Sequence, residues 1–190
     1  MFQVRVHGRG GQGVVTAAEL LSVAAFNEGR WAQAFPSFGS ERTGAPVVAF
    51  CRIDDRPIRL REPIVDPDAV IVQDPTLLRQ VDVFAGLHPG GFVLLNSGRD
   101  WAELGMAQLS GSAHALIVPA TRLAMTHVGR PVPNAALLGG FAALTGTVGL
   151  GAVEAAIRER FTGDVAEANV AAARAAFAHV AGEMREHSHA

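Results

Sequence analysis

Phe2-Gln3-Val4-Arg5-Val6-His7-Gly8-Arg9-Gly10-Gly11-Gln12-Gly13-Val14-Val15-Thr16-Ala17-Ala18-Glu19-Leu20-Leu21 lies at the head of the chain, and its reading decides the fold. The apolar run Phe2–His7 predicts a strand. The Ala/Leu-rich stretch from about Gln12 to Asn27, stopped by Gly29, predicts a helix. A glycine loop joins them. Strand, glycine loop and helix in that order make a cradle for phosphate: glycines let the backbone turn tightly and approach a ligand, and the helix start offers free N–H groups to an anion. Gly8, Gly10 and Gly13 also satisfy the G-x-G-x-x-G spacing of dinucleotide sites.

That spacing alone does not make a nicotinamide site. Such a site needs an acid at the end of the second strand to hold the ribose. Here the second strand, Arg30–Phe35, ends in Pro36-Ser37, and Glu28 precedes it beside Gly29, where it caps or flanks the helix end. A stand-alone NAD(P)-binding dehydrogenase and a tight turn without ligand both stay open as alternatives.

The chain has 190 residues, enough for one compact domain with a real core, expected to span residues 1–190. A net charge of −2 and the lack of a basic block argue against nucleic acid as a partner. The uncharged stretch Pro131–Val153 is long enough to consider as a membrane span. Its many glycines, with threonines and an asparagine, favour a buried helix pair instead. Cys51 is the only cysteine, so the chain has no disulfide framework and no self-contained iron–sulfur cluster. No signal-peptide layout opens the sequence, and a reducing cytoplasm is the expected setting.

Further along, Trp31–Phe35 is a short strand, and Val47–Ile53 and Arg56–Leu60 flank Asp54-Asp55 as a hairpin, with Pro57 marking the second arm as an edge. Asp68–Gln73, Phe92–Asn96 and Ala113–Val118 suit buried parallel strands. Helices follow at Thr121–His127, Asn134–Gly146, Ala152–Arg160 and Asp164–Glu186. The expected fold is α/β: a mostly parallel sheet flanked by helices, with a β-hairpin insertion and a helical C-terminus.

The segment Pro36-Ser37-Phe38-Gly39-Ser40-Glu41-Arg42-Thr43-Gly44-Ala45-Pro46 follows the second strand, so it is expected at the same sheet edge as the glycine loop, where ligands of open α/β sheets gather. Ser37, Ser40, Arg42 and Thr43 supply donors suited to phosphate or carboxylate, Arg42 bidentately. A solvated loop with a surface Glu41–Arg42 pair is the competing reading.

Gly8-Arg9-Gly10-Gly11-Gln12-Gly13 followed by Ala34-Phe35-Pro36-Ser37-Phe38-Gly39-Ser40-Glu41-Arg42-Thr43-Gly44-Ala45-Pro46 resembles the gamma subunit of 2-oxoacid:ferredoxin oxidoreductases. The likeness continues through Ile53–Ile58, Val72–Leu77 and Pro133–Gly139, and loosely through Asn169–Phe177. It implies a heteromeric enzyme that oxidatively decarboxylates a 2-oxo acid, pyruvate-like or aryl, to an acyl-coenzyme A. Thiamine diphosphate, magnesium and iron–sulfur clusters would sit on partner subunits, ferredoxin or another acceptor would take the electrons, and coenzyme A would bind at a shared site. On this resemblance Gly8, Gly10, Gly11, Gln12 and Gly13 form the anion-binding loop, Ser37, Glu41 and Arg42 belong to a second loop, and Asn134 is a polar contact at a helix start, with an N-cap as its simpler role. The chain would assist coenzyme A binding and active-site closure, or serve as a non-catalytic scaffold. It carries no catalytic residue of its own on this reading and no metal ligands; no Gly-Asp-Gly segment with a downstream asparagine pair is present for thiamine diphosphate and magnesium.

Other polar residues have plainer readings. His7 ends the first strand beside the loop and reads either as a ligand-facing or as a satisfied structural histidine. Asp54, Asp55 and Asp66 read as turn residues. Ser97 has no nucleophile elbow around it.

Overall fold

The computed structural model describes residues 1–37, 43–110, 112 and 114–189. Its six-stranded sheet has the order β2-β3-β1-β4-β5-β6, formed by β1 (Phe2–Arg9), β2 (Trp31–Pro36), β3 (Pro46–Asp54), β4 (Ala69–Val72), β5 (Phe92–Asn96) and β6 (Ala115–Val118). The helices are α1 (Val14–Asn27), α2 (Ala120–His127), α3 (Asn134–Thr145), α4 (Leu150–Arg160) and α5 (Gly163–His189). β1, β4, β5 and β6 run parallel, whereas β3 is antiparallel to both of its neighbours, β1 and β2. The expected mostly parallel α/β sheet with a helical C-terminus is therefore what forms.

The hairpin forms with different arms. Ala49–Asp54 of β3 pairs with the whole of β2, Trp31 opposite Asp54 and Pro36 opposite Ala49, while residues 57–60 form no strand. Two features end the strand at Asp54. Its Oδ1 accepts the N–H groups of Asp55 (2.7 Å) and Arg56 (3.3 Å), a side-chain turn that competes with a ladder. Pro57 then has no N–H to donate. The two-residue alternation in β2 suits pairing: Ala32 and Ala34 face the helices beside Val47, Ala49, Cys51 and Ile53 of β3.

The two faces of the sheet are covered differently. One face carries α1, α3, α4 and α5 over a core that includes Val4, Val6, Ile71, Leu94, Leu137 and Phe141. On the other face, irregular chain and short 3-10 turns cover β4–β6, with Val70, Val72, Leu77, Val93, Leu95 and Trp101 beneath. Among the described residues no helix is long and apolar enough to cross a membrane, and most of the uncharged Pro131–Val153 stretch is α3, buried from Asn134 to Ala142.

α3 and α5 pack closely because Gly139 has no side chain: a Cβ there would overlap the backbone carbonyl of Ala173. Backbone cannot swing aside as a long side chain can, so even a methyl group overpacks the seam. Gly139→Ala is expected to cost roughly 2–3 kcal/mol, read as a lower denaturant midpoint. An unchanged midpoint would show that the two helices can part without loss.

Candidate functional site

The glycine loop leaves the C-terminal end of β1 and delivers the chain into α1. Gly11 (φ +90°) and Gly13 (φ +73°) hold left-handed backbone that other residues rarely adopt. Gly13 is the N-cap of α1, and neither a capping side chain nor an acidic residue in the first turn engages the helix start. The first helical bond runs from Ala17 N–H to the Gly13 carbonyl (3.0 Å), which leaves the amides of the preceding turn without intrahelical partners. These amides open on a cleft of about 340 Å³ lined by Arg9, Gly10, Gly11, Gly13, Val15 and Val47, among others. The cleft has a polar floor made by the loop and an apolar wall made by valines.

The chain after β2 returns to this loop, as its place at the sheet edge implies. Gly10 bridges Thr43, with its N–H donating to the Ala45 carbonyl (2.9 Å) and its carbonyl accepting from Gly44 N–H (3.0 Å). Gly10 is thus paired, strand-like backbone. Ser37 sits exposed at the end of β2, its N–H spent on the Val48 carbonyl (2.8 Å). Glu41 and Arg42 lie outside the described residues.

Not all of the sequence-designated loop residues line the cleft. Gly8 is packed tightly: a Cβ there would meet Val14 Cγ2 at 2.5 Å and Gln73 Oε1 at 2.9 Å. Gln12 turns inward. Its Oε1 accepts from Arg9 N–H (2.7 Å) and its Nε2 donates to Asp74 Oδ2 (2.9 Å). Asn134 is buried against Gly13, where a Cβ would overlap its Nδ2, and its Oδ1 accepts from Gln73 Nε2 (2.8 Å). Asn134 does not cap α3; the N-cap is Pro133. These three residues brace the loop from behind.

The bracing set includes residues that sequence reasoning did not assign. Asp74 accepts from Arg9 Nε (3.1 Å) as well as from Gln12, and its Oδ1 takes Thr76 N–H (2.9 Å) and Oγ1–H (2.6 Å). Burial pulls its carboxyl upward, but the Thr76 and Gln12 hydrogen bonds and the Arg9 charge outweigh this and hold it below the ordinary range. Arg9 also reaches Gln80 Oε1 (3.0 Å) and the Gly44 carbonyl (3.0 Å), tying three loops together. The signal was present in sequence as Gln73-Asp74-Pro75-Thr76, an Asx turn directly after a strand.

Other sequence candidates fall away from the cleft. Glu28 flanks the end of α1 as expected, and its Oε1 accepts from Gly149 N–H (2.8 Å), so its carboxylate caps the start of α4, which the sequence did not indicate. β2, the strand that follows α1, sits two places from β1 with β3 between, and the acid that does stand beside the loop, Asp74 after β4, is taken up by Arg9, Gln12 and Thr76. Ser97 Oγ accepts from Arg99 N–H (2.9 Å) and serves a turn. Burial pushes the Cys51 thiol up to about 12, which makes it neither a ready nucleophile nor a ready ligand.

Against this geometry, the family model for pyruvate ferredoxin/flavodoxin oxidoreductase matches residues 3–179. The chain belongs to this family. The likeness to gamma subunits carried by the two loop motifs holds: the chain is 49% identical over 177 residues to the "common subunit gamma" of pyruvate/ketoisovalerate oxidoreductases from Thermococcus litoralis, covering 93% of this chain and 96% of that protein. The crystal structure of pyruvate oxidoreductase subunit PORC from Thermotoga maritima superposes with a TM-score of 0.80 at 36% identity, covering 93% of this chain and 95% of that one. A 2-oxoglutarate:ferredoxin oxidoreductase from Magnetococcus marinus shares the fold at a TM-score of 0.72 and 15% identity; the match covers 96% of this chain and 31% of that much longer one. This is a gamma-type chain of a 2-oxoacid oxidoreductase complex.

His7, next to the loop, is buried and its Nε2 has no partner among the described residues. Burial, with the nearby Arg5 charge, lowers it from 6.5 to about 4. The unfolded chain therefore takes up the proton first. Its contribution to stability is complete above about 6.5 and is lost as pH falls towards about 4. The loss amounts to at most about 3 kcal/mol. Denaturant unfolding across that window should show a shallower acid decline for His7→Gln than for the natural chain. Parallel curves would mean that His7 titrates alike in the folded and unfolded chain.

Proposed function

We propose that this chain is the gamma subunit of a heteromeric 2-oxoacid:acceptor oxidoreductase and that its paired loops receive the phosphates or pantetheine arm of coenzyme A. The observation that carries the reading is the uncapped start of α1 opening on the glycine cleft. Unpartnered amides and the positive end of a helix dipole attract an anion. The apolar wall of Val14, Val15 and Val47 suits an uncharged arm that continues from a phosphate. The related Magnetococcus enzyme is described with 2-oxoglutarate, coenzyme A and succinyl-CoA bound, which makes coenzyme A the first anionic ligand to test.

Coenzyme A, when bound, supplies the thiol that accepts the acyl group. This chain's share is binding and orientation. Gly10, Gly11 and Gly13 give close backbone approach, the first-turn amides of α1 hold negative charge, and Arg42 of the second loop adds a charged fork. Gly8, Gln12 and Asn134 keep the loop in shape, and Ser37 and Glu41 complete the second loop. Thiamine diphosphate, magnesium and iron–sulfur clusters belong to partner subunits: a single buried cysteine cannot hold a cluster. The setting is a reducing cytoplasm, with ferredoxin or another acceptor taking electrons from the partners. A stand-alone NAD(P)-dependent dehydrogenase is disfavoured by the position of β2 and the engagement of Glu28.

Arg42→Ala in the assembled complex is expected to raise the apparent coenzyme A constant on the order of 10–100-fold by removing a charge-assisted contact. The measurement is acyl-coenzyme A formation against coenzyme A concentration, and the isolated chain should give no turnover. An unchanged constant in an intact complex would move Arg42 out of the site. Dissociation of the complex would make the second loop a subunit contact.

A further inference from the structure

We propose that Asp74 is the positioning residue of the glycine cleft: its carboxylate clamps Arg9 and Gln12, and so presets the loop and its junction with the second loop for an anionic ligand. The proposal rests on the reading of the cleft as the coenzyme A site. The geometry is closed. Asp74 Oδ2 takes Gln12 Nε2 at 2.9 Å and Arg9 Nε at 3.1 Å. Gln12 Oε1 returns to Arg9 N–H at 2.7 Å, and Gln12 N–H donates to the Arg9 carbonyl at 3.0 Å. Arg9 Nη1 crosses to the Gly44 carbonyl at 3.0 Å, and Nη2 reaches Thr76 Oγ1 (2.7 Å) and Gln80 Oε1 (3.0 Å). One carboxylate thereby sets a cleft-lining arginine, both ends of Gln12 and, through Arg9, the return of the second loop.

Two consequences separate this role from ordinary turn-making. The Arg9 guanidinium is engaged by Asp74, Thr76, Gln80 and Gly44, so the glycine loop's own share of the affinity for an anion comes from backbone amides held in a fixed arrangement. A preset loop also spares the ligand the cost of ordering it, and the benefit appears in binding. The two carboxylate oxygens divide the work: Oδ1 caps the following 3-10 turn through Thr76, whereas Oδ2 alone faces Arg9 and Gln12. Asp74→Asn can keep the cap with its remaining oxygen while setting an amide donor against the donors of Arg9 and Gln12. It removes the clamp and spares the turn.

The test uses the assembled complex carrying Asp74→Asn, with calorimetric binding of coenzyme A, the KM for coenzyme A, kcat at saturation and the melting temperature. The expected result is roughly tenfold weaker binding and a matching rise in KM, with kcat held, the complex intact and the melting temperature lowered only modestly. Gln12→Met, which removes the amide and preserves size, should move KM the same way by about threefold; it decides the matter if Asp74→Asn does not assemble. Gly13→Val, which strains the loop and collides with Asn134, serves as the independent block of the cleft. If Gly13→Val weakens binding and Asp74→Asn does not, the clamp proposal falls and the coenzyme A site stands. If neither weakens it, the coenzyme A reading fails and takes the clamp with it. A fall in melting temperature or loss of partner chains without the shift in KM assigns Asp74 to folding or assembly and overturns the proposal.

Discussion

Two buried arginines on one face of the sheet hold its irregular layer in place. β1 turns Val4 and Val6 to the helices, so Arg5 and His7 must lie on the opposite face, and β3 sends Arg52 the same way. A buried guanidinium is tolerable only if its donors find acceptors. Arg5 finds the carbonyls of Val65 (3.3 Å), Val83 (3.0 Å) and Ala85, and Arg52 finds the Glu62 carbonyl (2.7 Å) and the Gln3 side chain (3.0 Å), which leaves only Arg5 Nε and Arg52 Nη1 without partners among the described residues. Chain with no ladder of its own on either side of β4, residues 55–68 and 73–87, is thus tied to the sheet through its carbonyls. Arg5 is still lowered by its burial, with Asp82 and Asp66 acting against the shift, which marks how little solvent reaches it.

This anchoring reaches the cleft. With the layer fixed, β4 runs directly into Asp74 and its 3-10 turn beside the glycine loop. The loop is then braced on two sides: from behind by the Gln73–Asn134 amide pair under Gly13, and from the flank by Asp74 on Gln12 and Arg9. Glycines would otherwise leave it the most mobile turn in the chain, because each one widens the accessible backbone. Their freedom supplies the geometry, and the amides and the carboxylate remove the disorder that comes with it.

Local pattern made much of this legible. β1 and α1 stood out because apolar periodicity changes across one glycine run, and the buried strands β4, β5 and β6 because uninterrupted Val/Ile/Leu runs bounded by turns leave little else. The meeting of the two loops followed from strand direction alone, since segments that leave parallel strands forward emerge at one edge. The partner of β3 was not legible. Val47–Ile53 can pair on either side, and only the Asp54 side-chain turn and the missing Pro57 N–H tell against the nearer segment. The bracing of the loop was obscured for a related reason. Asp74 and Asn134 are distant from Gln12 and Gly13 in sequence, and each has an adequate local explanation as a turn or cap residue.

The sequence by itself determined the α/β class, the glycine loop at a helix start, the family and the want of ligands for a cluster. All of these are set by residue type and short-range spacing, which folding does not alter. Only the tertiary structure decided that β2 closes the sheet edge beyond β3, that Gln12 turns inward, and that Asn134 supports Gly13 instead of capping α3. Each of these depends on which distant groups satisfy a buried donor or fill the space beside a glycine. A buried polar atom must be partnered wherever the fold brings a partner, and that cannot be read from its neighbours in the chain.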